Sequence, residues 1–364
     1  MKQTIVLAFL ILFFGCKPKG KSQNEPLKNL KTLKEIIDEE ISNFLKPPYT
    51  ALSGVVYVDG ESYQFHFGKL INEKRANNET LHEIGSLTKT YTGIILSQAI
   101  QDKKVDLKDD IRMYLDGIYP NLELDNGASI TLQHLITHTS GLPMNINCNS
   151  LDQKIDEQLL CFESFTKEDF FKELKQVELI DNTGKNYHYS NTGIQLVGYI
   201  LENIYQLSAQ KLIEKYVFSR SGERNTLYAV NNAENISIGK NSDGTPVPLI
   251  NGFYKNAGGL KSTTNSMSNY IKMYLEKDDP VVKRTMNRLG GTNQHGIAFI
   301  WNTYNYDKVK KMLYHSGGTF GHSSWMALYP NQKTGVFLVT NVMTTESQGD
   351  LNELSNKIMD KLIK

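Results

Sequence analysis

Leu30, Leu33, Ile37, Ile41 and Phe44 recur at spacings of three and four, which predicts an amphipathic helix that Pro47-Pro48 then stops. From Gly54 to Phe67 the period falls to two, with Val56 and Val58 before Asp59-Gly60 and Tyr63, Phe65 and Phe67 after it. That pattern predicts a hairpin whose turn dipeptide accepts positive φ. Ser86 to Ile100 has helix length and a mixed apolar face. A mostly helical, loop-rich middle follows, to about Pro248. Strand patterning returns at Gly296–Trp301, Lys308–His315, Ser323–Tyr329 and Val336–Val339, and Leu351, Leu354, Ile358 and Leu362 mark a closing helix. Strands near both ends with helices between them predict an α+β fold: an antiparallel sheet flanked by helices, with a helical insert over roughly 101–248.

The first residues change the picture of where the chain works. Thr4 to Phe14 is nearly unbroken apolar sequence after Met1-Lys2 and ends at Gly15-Cys16. The run is too short for a stable membrane-spanning helix and resembles a bacterial lipoprotein signal over residues 1–16, with Cys16 lipidated. Phe13 stands where such signals usually carry an aliphatic residue, and ordinary signal-peptide cleavage nearby is the alternative. Residues 17–26 (KPKGKSQNEP) read as a tether, and residues 27–364 as the folded domain. The expected location is therefore exported, periplasmic or cell-surface, with a lipid anchor as the membrane contact. Setting Cys16 aside leaves Cys148 and Cys161, an even number in an oxidising compartment, expected to pair; two buried thiols are the alternative.

Apolar residues at 40% and charged residues at 22% are globular values, which argues against a disordered chain. A net charge of +1 with no basic block beyond the extreme N-terminus leaves no electrostatic footprint for nucleic acid. The partner expected instead is a small-molecule or peptide substrate.

Ser86-Leu87-Thr88-Lys89 sets a Ser and a Lys on one helical face, within reach of each other. A dehydrated Lys loses its proton readily and becomes a base for the hydroxyl. The spacing alone is common, for it recurs at Ser164, Ser208 and Ser237. Only Ser86 follows a small turn residue, Gly85, and opens a long apolar helix. Tyr189-Ser190-Asn191 offers a phenol and an amide ahead of an apolar helix; the same spacing at Tyr119, Tyr254 and Tyr329 has no such setting. A third element must lie on a strand beside the nucleophile. Lys333-Thr334-Gly335 falls between two strands and reads as a turn, whereas His315-Ser316-Gly317 ends a strand and is favoured. His134 and His138, four apart, lack the H-E-x-x-H glutamate and an obvious third ligand, so no metal is expected.

In order, these residues resemble the serine β-lactamase/penicillin-binding-protein superfamily, in particular its class C-like branch. Leu135-Ile136-Thr137-His138-Thr139-Ser140-Gly141-Leu142-Pro143, Ala257-Gly258-Gly259-Leu260 with Ser262-Thr263, and His315 to Ser324 (HSGGTFGHSS) extend the likeness. It runs from about Leu27 to the C-terminus. The resemblance implies a two-step acyl transfer by a serine hydrolase with no cofactor. Ser86 would be the nucleophile, with Lys89 and Tyr189 sharing general-base duty. Asn191 would hold Lys89 and, with His315, Gly317, Gly318 and Asn145, contact the substrate; the amides of Ser86 and Gly318 would form the oxyanion hole. His138 belongs to a segment expected to turn away from Ser86. His315 stands where β-lactamases carry a Lys, so an amide or ester without a carboxylate fits better than a β-lactam. A true β-lactamase and a catalytically inactive penicillin-binding-like sensor are the other readings.

Overall fold

The amphipathic pattern at the N-terminus forms helix α1 (Glu25–Phe44), with Leu33, Ile37 and Ile41 buried along one stripe. The hairpin follows as β1 (Ala51–Val58) and β2 (Glu61–Gly68), joined by Asp59 and Gly60, both at positive φ. The computed structural model describes residues 25–71, 73–124, 129–148, 154–230, 235–252 and 254–363, and only the backbone of 25–32. The expectations for the leader, for Cys16 and for tether residues 17–24 lie outside these residues.

Six further strands complete the sheet: β3 (Gly290–Gly291), β4 (His295–Ile297), β5 (Asn302–Asn305), β6 (Lys311–Gly318), β7 (Ser323–Tyr329) and β8 (Thr334–Thr340). Their order is β2-β1-β8-β7-β6-β5-β4-β3, antiparallel throughout. Both faces are covered, so β7 and β8 are buried at every position and read as near-continuous apolar runs. Trp325, Ala327, Val336 and Leu338 pack on one face with α1 and the C-terminal helix α5 (Ser347–Leu362). Met326, Leu328, Phe337 and Val339 face the main core with α2 (Thr88–Gln101) and α4 (Thr264–Glu276).

Two predicted strands are shifted. Gly296–Trp301 divides at a buried turn in which Ile300 has φ +74° and Ala298 N–H donates to Trp301 O at 2.8 Å. A buried turn is as apolar as a strand, and the pattern alone did not separate them. Lys308–Lys310 form the β5–β6 turn around Asp307, whose carboxylate accepts from the amides of Val309 and Lys310.

Between α2 and α4 the chain builds short helices (132–136, 155–164, 167–174) and the longer α3 (Asn191–Tyr205). The sulfurs of Cys148 and Cys161 are joined in a disulfide, which closes the alternative of two thiols. No helix among the described residues is long and apolar enough to cross a membrane.

Candidate active site

Ser86 lies on a tight turn (Gly85–Leu87) that feeds α2. Gly85 has φ +50°, and a Cβ there would lie 2.6 Å from Gly318 N, so only glycine lets the nucleophile turn meet the end of β6 this closely. A Cβ on Gly317 would lie 2.0 Å from Ile84 O, and Ser324 Oγ donates to that same carbonyl at 2.9 Å. The backbone of residues 84–86 is thereby pressed against β6 and β7. Ser86 also precedes the first turn of α2, where the helix field favours developing negative charge.

Two threonines tie α2 to segment 256–260 and a third ties it to α4. Thr88 Oγ1 accepts from Leu260 N, Thr92 Oγ1 donates to Asn256 O, and Thr90 Oγ1 meets Tyr270 OH. The segment 256–260 is thus laid along the helix, and Ala257 O receives a bond from Lys89 Nζ at 2.5 Å. Lys89 Nζ lies 2.9 Å from Ser86 Oγ, and Tyr189 OH donates to the same Oγ at 2.6 Å. Lys89 is fully buried, and dehydration pushes its amine well below the ordinary lysine range. Burial pushes the Tyr189 phenol up. Lys89 Nζ donates to Ala257 O and to Ser86 Oγ, and the phenol donates to the same Oγ; a neutral amine also carries a lone pair that can take the Ser86 proton. This is a hydroxyl with a base on one side and a proton donor on the other.

Ser190, the middle residue of the Tyr-Ser-Asn triplet, caps α3: its Oγ accepts from Gly193 N and donates to Pro143 O. That cap fixes Tyr189 just before the helix and Asn191 at its first position. Asn191 Nδ2 donates to Asn145 Oδ1 at 2.9 Å, so the two side-chain amides lie together. Asn191 does not hold Lys89; Ala257 O does, because the threonine face of α2 brings that carbonyl nearer. His315 is 3% exposed on β6, with Nδ1 2.6 Å from Ser316 O. A carbonyl only accepts, so Nδ1 carries the proton and Nε2 is an acceptor. Burial lowers its pKa to about 4, and the imidazole is neutral at pH 7.

The expectation for His138 is corrected. Its ring lies 4.7 Å from the Tyr189 ring, and its Nδ1 accepts from Ser190 N at 3.1 Å. His138 adopts φ +56°, which turns the side chain back under the triplet. Tyr187, half exposed, meets the same ring edge-on and lines a cleft of about 470 Å3 with His134, His295, Asn302 and Tyr314. Tyr187 and the Ala257 carbonyl went unread because one is a lone exposed aromatic and the other acts through backbone.

The competing motifs resolve as turns and caps. Lys333 is a left-handed turn residue paired with Glu276 at 3.6 Å. Ser208 caps a short helix, and Ser164 Oγ donates to Cys161 O. Among the described residues no cluster of His, Cys, Asp and Glu has the arrangement of a metal site.

A profile of the Beta-lactamase family matches residues 48–358. Protein flp of Staphylococcus aureus (strain MRSA252) is 25% identical over 281 residues, 74% of this chain and 54% of its own length. A beta-lactamase of Providencia stuartii is 25% identical over 252 residues, 66% of this chain and 61% of its own. The chain thus spans between about half and three-fifths of these relatives. With the profile covering most of the chain and the antiparallel sheet flanked by helices, the protein belongs to the β-lactamase family.

Proposed function

We propose that the protein is an exported serine acyl-hydrolase that cleaves an amide or ester through an acyl-Ser86 intermediate. The observation that carries this reading is Ser86 Oγ between Lys89 Nζ at 2.9 Å and Tyr189 OH at 2.6 Å. Lys89 takes the hydroxyl proton as Ser86 attacks the carbonyl. Tyr189, still protonated, passes a proton to the leaving group and is reprotonated from Lys89. The amides of Ser86 and Gly318 receive the oxyanion; loss of one such donor typically costs about 3 kcal/mol of transition-state stabilisation. Water then repeats the sequence on the acyl-enzyme. The leader ending at Cys16 supports export with a lipid anchor.

His315 narrows the substrate. A neutral imidazole offers an acceptor, not a cation, so it favours acyl donors that carry no carboxylate beside the reacting carbonyl. The name of the Providencia relative supports a β-lactam as the second reading.

The test is intact-mass spectrometry of residues 17–364 and its Ser86→Ala variant with p-nitrophenyl acetate and with a penicillin. Wild type should consume the ester and carry a transient acetyl adduct, with turnover of the penicillin much slower, and Ser86→Ala should do neither. Absence of any adduct or consumption with wild type would overturn the hydrolase reading in favour of a binding protein.

A further inference from the structure

The Ser-x-x-Lys spacing at Ser237 has no part in the site, yet Ser237 is not idle. Its hydroxyl lies 3.2 Å from His322 Nε2, and His322 Nδ1 lies 3.2 Å from Glu83 Oε2. Acid, imidazole and hydroxyl fall in the order of a catalytic triad. All three are buried, with Ser237 at 0% exposure, so no substrate meets that hydroxyl. The network must act on the protein itself.

Its position indicates how. Glu83 precedes Ser86 by three residues, on a two-residue strand paired with Lys261-Ser262. Its Oε1 accepts from Ile250 N at 2.6 Å, and its Oε2 accepts from Thr319 Oγ1 at 2.8 Å. Thr319 directly follows Gly318 and organises the β6–β7 turn, with its Oγ1 accepting from His322 N and its amide donating to His322 O. Burial pushes the Glu83 carboxyl up, but the bond and charge of His322 and the charge of Lys261 outweigh this, leaving it below its ordinary value. Glu83 is therefore an acceptor at both oxygens, and His322 Nδ1 must be the donor.

Resting on the acyl-serine reading, we infer that Glu83 and His322 are positioning residues for the oxyanion hole. Together they form a buried clamp that sets the distance between the Ser86 turn and the Gly318 end of β6. Charge on the carbonyl oxygen is largest in the transition state, so the span of the hole governs acylation more than binding.

Glu83→Gln tests the clamp, because a Gln cannot accept on both sides: its NH2 must face either Ile250 N–H or the Thr319 and His322 donors. The expected result with p-nitrophenyl acetate is a kcat at least tenfold lower per folded molecule, with KM within twofold. His322→Asn, whose amide can stand in for Nδ1, should recover kcat to within threefold of wild type. His322→Gln, which stands in for Nε2, should behave like Glu83→Gln. Folded fraction is measured by circular dichroism in each case, so that a merely structural defect is read separately. Wild type and Ser86→Ala with equal rates would overturn the acyl-serine reading. An active wild type with Glu83→Gln unaffected per folded molecule, or with His322→Gln rescuing as well as His322→Asn, would overturn the clamp alone.

Discussion

At Ser86 the burial of one amine governs the chemistry. Among the described residues Lys89 has no acidic partner, and the Ala257 carbonyl, Ser86 hydroxyl and Tyr189 ring beside it are neutral, so little offsets the cost of charging it in the core. Neutral His315 and His138 beside it complete a site in which three bases are depressed, each mainly by burial. A fixed cation in place of His315 would import the charge that β-lactam recognition uses. His315→Lys should therefore raise kcat/KM for carboxylate-bearing acyl donors relative to neutral esters by about tenfold, about 1.4 kcal/mol. The ratio is the quantity to measure, because a cation near Lys89 alters the base for every substrate alike. If the ratio does not move, His315 has no part in choosing the substrate.

Elements bring these residues together, and here the sequence was legible only in part. Ser86, Lys89 and Tyr189 could be read because short-range rules place them: a Ser and Lys three apart on one helix, and a Tyr just ahead of a capped one. The choice of His315 over Lys333 was also local, since one lies within a strand and the other sits in a left-handed turn. What holds Lys89 was not legible, because a backbone carbonyl at 257 has no side-chain signal. The turn of His138 onto Tyr189 depends on tertiary packing in the same way. A covalent tie shapes the opposite wall. Cys148 lies three residues beyond Asn145, while Cys161 precedes Phe162, whose ring meets Tyr254 at 5.6 Å and Phe320 at 5.8 Å. Ile146 N donates to Tyr254 OH at 2.9 Å, so the Asn145 loop is strapped to that wall twice. Replacing both cysteines with alanine should cost about 3 kcal/mol in chemical denaturation for a loop of this size. It should also raise KM for an amide substrate severalfold with kcat within twofold. Unchanged KM would show that the strap supports the fold without ordering the Asn145 loop.

At the scale of the whole molecule, burial of titratable groups sets the pH range of stability. His315 has a folded pKa of about 4 against an ordinary value of 6.5, so the unfolded chain binds its proton first. Its contribution is complete above pH 6.5 and is lost as pH falls toward 4, about 2 kcal/mol of it by pH 5. His82 and His138, depressed mainly by burial, act in the same direction. Glu223 acts against them: burial raises its carboxyl to about 7, so the folded state takes up its proton first and gains stability as pH falls below that value. One carboxyl offsets roughly one histidine, whereas His66 and His134, also lowered by burial, join the other three in opposing it. Net stability should therefore fall between pH 7.5 and 5, even though most carboxylates remain ionised over that interval. Denaturation midpoints at the two pH values check the sum, and His315→Gln checks one term by removing its share of the difference. A difference in midpoint between pH 7.5 and 5 that His315→Gln leaves unchanged would mean that this imidazole takes up its proton as readily in the folded protein as in the unfolded chain. The neutral His315 on which the substrate preference rests would then be lost as well, so one titration bears on both stability and selectivity.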